Sequence, residues 1–156
     1  MAHLVHSRMC RLAASLLFVA LIVPSAITRA NEPTVDELKA RVADANVANR
    51  PHLCIRIAER QLDAADKFYL EGDTDKAQAA LTDVIAYSEL ARDYAIQSHK
   101  HEKQAEIAIR KMARKLADMR HTVSREDQEQ LQRAIDRMER IRDDLLAAMF
   151  PNGGKK

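Results

Sequence analysis

The residues best suited to chemistry in this 156-residue chain are His99, His101 and Glu102, with Glu106 one turn further on. Two imidazoles and a carboxylate are donors for Zn²⁺, Cu²⁺ or Ni²⁺. Their spacing works against a complete site on one helix. Each residue advances about 100°, so positions 99 and 101 point about 160° apart. Only His99 with Glu102 or Lys103, and His101 with Ala105, would share a face. Neither Glu-x-x-His nor His-Glu-x-x-His occurs. A metal-binding or stress-response role would use His99, His101 and Glu102 with carboxylates brought by a partner chain.

A second candidate is the basic run Arg110, Lys111, Arg114 and Lys115, followed by Arg120 and interleaved with Ile109, Met112 and Leu116. Residues 100–120 carry seven basic and three acidic groups, whereas residues 59–93 carry four basic and nine acidic ones. Such a surface attracts anions. Nucleic acid is excluded as the partner because no aromatic residue lies between Tyr94 and Phe150, leaving bases nothing to stack on. The opposed signs point instead to a protein partner, or to a second copy packed antiparallel along a coiled-coil seam.

Other reactive side chains have plainer roles. Cys54 falls within an apolar helical arc and reads as core, with an intermolecular disulfide as the alternative. Met112, Met119, Met138 and Met149 recur at helical spacing and read as core fillers. There is no phosphate-cradling glycine loop, no nucleophile triad in a plausible frame and no metalloprotease helix. The chain reads as a non-enzyme that needs no cofactor.

The elements that position these residues are helices. Between Pro51 and Pro151 there is no proline and a single glycine, Gly72, a pattern that helices tolerate and sheets do not. Thr34 and Glu37 form a capping-box pair that opens a first helix. A second helix runs from about Pro51 to Glu71 on the stripe Ile55, Ala58, Leu62, Ala65 and Tyr69. Gly72 ends it and Asp73 caps the next. From Ala77 an unbroken 4-3 register continues through Leu81, Val84, Ala91, Ala95, Ala105, Ile109, Met112, Leu116 and Met119. Ser98-His99-Lys100-His101 lacks Gly, Pro, Asn and Asp, so the spacing predicts one long central helix over about 74–122. The alternative is a connection there, which gives an antiparallel bundle of four similar helices. Ser124 with Asp127 opens a last helix on Leu131, Ile135, Met138 and Leu145, which Pro151 stops. The fold class is all-α, built of antiparallel hairpins with coiled-coil character.

Around the glycine, Ala65, Phe68, Gly72-Asp73-Thr74-Asp75-Lys76-Ala77 and Leu81 are spaced as in one helical hairpin of the tetratricopeptide family. Residues 61–90 resemble that unit, with Gln61 where the family's early Trp stands and Glu89 where its terminal Pro stands. The resemblance implies a tightly packed helix pair. Nothing repeats thirty-four residues later, so it implies no solenoid and no peptide-binding groove of that kind. As a whole the chain is similar to small exported helical bacterial proteins.

Residues 1–30 form a different unit. They contain three arginines and no acid, then the uncharged run Leu12–Val23, and end in Thr28-Arg29-Ala30. A basic start, a short apolar stretch and a small-x-small site read as a signal peptide cleaved before Asn31. The run is too short, and Pro24 too disruptive, for a membrane anchor. The expected organisation is therefore a signal peptide at 1–30, a helical domain at 31–150 and a disordered tail at 151–156. The protein would work in the periplasm or outside the cell, touching membrane only through the signal before cleavage. Removing the signal's three arginines leaves 22 basic and 23 acidic residues, so the precursor's charge of +2 becomes −1. The two cysteines become one, and no internal disulfide can form.

Overall fold

The computed structural model describes residues 32–151. The expected export segment 1–30 and residues 152–156 of the expected tail lie outside the described residues. Five helices and no strand are found among the described residues: α1 (Val35–Asp44), α2 (Arg50–Glu71), α3 (Thr74–Ser98), α4 (Glu102–Arg120) and α5 (Arg125–Met149).

Each boundary has a local cause. Thr34 Oγ1 accepts from the Glu37 amide at 3.2 Å while Glu37 Oε2 accepts from the Thr34 amide at 3.0 Å, closing the capping box of α1. At the end of α2, Gly72 adopts φ 77 and its amide donates to the Tyr69 carbonyl, while the Asp73 amide reaches back to Phe68. Asp73 then caps α3 by accepting from Lys76 N at 3.3 Å and Lys76 Nζ at 2.6 Å. These bonds from Lys76 hold the Asp73 carboxyl below its usual range. Ser124 caps α5 by accepting from the Asp127 amide.

The expected long central helix over 74–122 is interrupted. His99 and His101 both take left-handed backbone conformations, at φ 52 and φ 65, and α3 ends at Ser98 while α4 starts at Glu102. The reason is burial. Residues 97–104 are all polar, so a straight helix through them would have no apolar surface to cover. Reversing the chain instead lays α4 and α5 against α2 and α3 and buries Ala95, Ala105 and Ile109 together. Histidine is one of the few non-glycine residues enriched in the left-handed region, so it supplies the turn without ordinary turn residues. The connection expected as the alternative is the one formed.

The helices run up, down, up, down. Arg50 at the start of α2 lies over the ring of Tyr94 near the end of α3, and Gln61 reaches Asp83, so α2 and α3 are antiparallel. Arg142 near the end of α5 reaches Glu106 near the start of α4, so that pair is antiparallel too. Between hairpins, Glu89 pairs with Arg137 and Asp144 with Arg92, which sets α5 parallel to α3. One continuous core runs through the bundle, from Cys54, Ala58, Leu62 and Ala65 to Leu131, Met138, Ile141 and Leu145. Alanines at 58, 65, 80, 91 and 95 let α2 and α3 approach closely. α1 is pinned by fully buried Leu38 and by Lys39, whose ammonium meets Asp83 at 3.3 Å. Arg50 ties α1 to the bundle by donating to the Ala45 carbonyl at its C-terminus.

Cys54 is fully buried and free, as its place in the apolar arc predicts, so an intermolecular disulfide is closed to the folded chain. Burial pushes its thiol up to about 11. At pH 8 a thiol reagent should therefore label the native protein only at its rate of opening, and label the denatured protein at once; fast native labelling would show Cys54 accessible. The left-handed sites give opposite signs on substitution. Gly72→Ala should cost about 1 kcal/mol, because a Cβ there meets no neighbour within 4 Å and only backbone strain is added. His99→Gly and His101→Gly should each be neutral or stabilising by up to about 1 kcal/mol, since strain is relieved against a more flexible unfolded chain. Urea unfolding midpoints measure all three.

Candidate functional site

The corner separates the residues expected to bind metal. His99 is almost fully exposed and its Nδ1 lies 3.7 Å from Glu102 Oε1. His101 lines two clefts together with His52, a residue that the spacing argument did not consider. One cleft, of about 200 Å³, lies between α2 and α4 and is edged by Arg56, Glu59 and Gln104. The other, of about 450 Å³, lies between the end of α1 and the start of α2 and is edged by Arg41, Asp44 and Asn49. Among the described residues no three His, Cys, Asp or Glu side chains converge as a metal ion would require.

The basic run is divided by the helix that carries it. Lys115 faces α2, where its Nζ lies 2.8 Å from Asp63 Oδ1 and 3.2 Å from Asp66 Oδ2. The bond to Asp63, reinforced by Asp66, raises its pKa above the ordinary lysine value despite partial burial. Acidic α2 and basic α4 thus meet at Lys115 inside one chain. The expected antiparallel pairing of charges between copies required the continuous helix, which is absent. Lys111 is exposed on a third face of α4.

Arg110 and Arg114 turn to the opposite side and line a cleft of about 410 Å³ between α4 and α5. Its floor is apolar, made by Ala113, Ala117, Ile135 and Met138. A third arginine, Arg142, and one carboxylate, Glu139, complete the rim. Below them Glu106 is buried, and its Oε1 accepts from Arg142 Nε at 2.8 Å and lies 3.4 Å from Arg110 Nε. A guanidinium has five N–H donors, so one shared carboxylate fixes both side chains and leaves most of their donors facing outward. Arg114 makes no ion pair among the described residues. The result is an apolar trough, two helical turns long, beneath three arginines. It is suited to an elongated ligand with an apolar stripe and flanking carboxylates.

Comparison with protein-family models, with curated proteins and with solved structures finds no match.

Arg142 was not singled out by the sequence because it stands 28 residues beyond Arg114 in a segment dense with both charges. The available signal was its register, one helical turn after Met138 and two after Ile135. Glu106 was weighed only as a metal ligand. Its role as the anchor of two arginines depends on α5 lying alongside α4, which no local pattern states.

Glu106→Ala should lower stability by about 1–2 kcal/mol, measured by urea unfolding, because Arg142 and Arg110 lose their shared carboxylate while staying partly wet. Glu106→Gln, which keeps an acceptor, should cost less than half of that. Equal losses would show that packing alone is at work.

Proposed function

We propose that this protein is an exported helical interaction module that holds a protein partner by an acidic, amphipathic segment laid in the α4–α5 cleft. The observation that carries the reading is the trio Arg110, Arg114 and Arg142 over the floor Ala113, Ala117, Ile135 and Met138. Apolar contact supplies non-directional affinity in such a cleft, while guanidiniums select for carboxylates and fix the register. The export reading rests on the composition of residues 1–30 and sets where the partner would be met. The candidate interaction residues Arg110 and Arg114 fall in the cleft. Lys115 is committed to α2, and Lys111 adds only to the long-range field.

A helix-forming peptide of about three turns, with leucines on one face and glutamates beside them, is a direct probe. Fluorescence titration should show binding that weakens steeply with added salt and falls about tenfold with Arg114→Glu, roughly the effect of one lost charge-assisted contact. Absence of binding, or binding indifferent to salt and to Arg114→Glu, would reject the reading.

A further inference from the structure

The α4–α5 cleft has a fitting occupant on the molecule itself. Leu70, in the last turn of α2, is 79% exposed, the most open large apolar side chain among the described residues. It stands among carboxylates: residues 63–76 carry five acidic and two basic groups. Glu71 follows it directly, and Asp73 and Asp75 lie just past the Gly72 turn. The α2–α3 tip is therefore an apolar knob in an acidic collar. The cleft is an apolar trough under a basic rim, and residues 110–115 carry four basic and no acidic groups.

The geometry points to a head-to-tail contact between two copies of this chain, the α2–α3 tip of one seated through Leu70 in the α4–α5 cleft of the next. This rests on the cleft being a docking site, as proposed above, and names its occupant. Leu70 and the cleft are different surfaces of each copy, so the contact is heterologous and each copy keeps a free tip or a free cleft. Growth therefore continues beyond a dimer unless the rotation closes a ring. Two turns of helix and a knob make a small interface, which places the contact in the weak, reversible class. Its polarity also explains why Leu70 is tolerated on a surface otherwise rich in charge.

Such a contact has a complementation signature. By analytical ultracentrifugation over a wide concentration range at low salt, the wild-type protein should show a mass that rises past the dimer. Leu70→Glu spoils the tip and leaves the cleft, and Arg114→Glu does the reverse; each alone should remain monomeric. Both positions are exposed, and unchanged helical circular dichroism confirms folding. An equimolar mixture of the two variants should form a one-to-one dimer and grow no further, since one intact tip meets one intact cleft. A wild-type protein that stays monomeric, association that survives either variant, or a mixture without rescue would each overturn the head-to-tail contact. If the leucine-glutamate peptide still binds while the chain stays monomeric, the cleft is a docking site for another protein and only the second copy is eliminated. If neither peptide nor copy binds, both readings fall.

Discussion

Between Ser98 and Glu102 the chain must reverse after a 25-residue helix, and it does so on two histidines held at φ 52 and φ 65. Left-handed backbone costs a residue with a Cβ roughly 1–2 kcal/mol, so this corner persists only because what it brings together is worth more. The return lies in the core. With α4 folded back, Ile109, Met112 and Leu116 join Leu62, Leu81 and Val84 in one cluster, and α5 gains α3 as a neighbour. A straight helix would have left both hairpins with half-covered stripes. Burying even a few such side chains outweighs two strained residues.

That balance explains what the sequence made legible. Helix starts at Thr34, Asp73 and Ser124, and the stop at Gly72, depend on side chains within three or four residues of the backbone they satisfy. Local chemistry writes such features into local sequence. The corner is decided by apolar residues ten to fifty positions away, and its own residues carry no usual turn chemistry. Its one available clue was negative: an eight-residue polar gap in an otherwise regular stripe. The candidate site followed the same division. Arg110 and Arg114 could be named from their run, while Arg142 and the anchoring Glu106 needed the antiparallel placement of α4 and α5.

The charge arrangement is also clearer in three dimensions. The acidic stretch 59–93 and the basic stretch 100–120 suggested surfaces waiting for each other, and part of that attraction is spent within the chain. Asp63 and Asp66 take Lys115, Glu89 takes Arg137, and Asp144 takes Arg92. These pairs are mostly half-exposed, so each adds little stability; together they favour one alignment of the two hairpins over slipped ones. What remains uncommitted is small and localised: Arg114 with the outward donors of Arg110 and Arg142, and the acidic collar of Leu70. A broad charge asymmetry becomes two patches on different parts of the molecule.

The helix stack has two ends, and they are finished differently. The α2–α3 hairpin is covered on one side by α1, which contributes Leu38 to the interior and Lys39 to Asp83. The α4–α5 hairpin has no such cover among the described residues. Stacked hairpins need a polar capping element wherever the stack stops, because each hairpin otherwise shows a seam of small and apolar residues. On α4 and α5 that seam is Ala113, Ala117, Ile135 and Met138, and three arginines guard it in place of a helix. Arginine suits that position, since its stem shields apolar surface while its head stays wet and able to bind. The same side chains that keep the open seam soluble thus equip it to receive an acidic partner, so the absence of a second capping helix and the presence of a docking cleft have one physical origin.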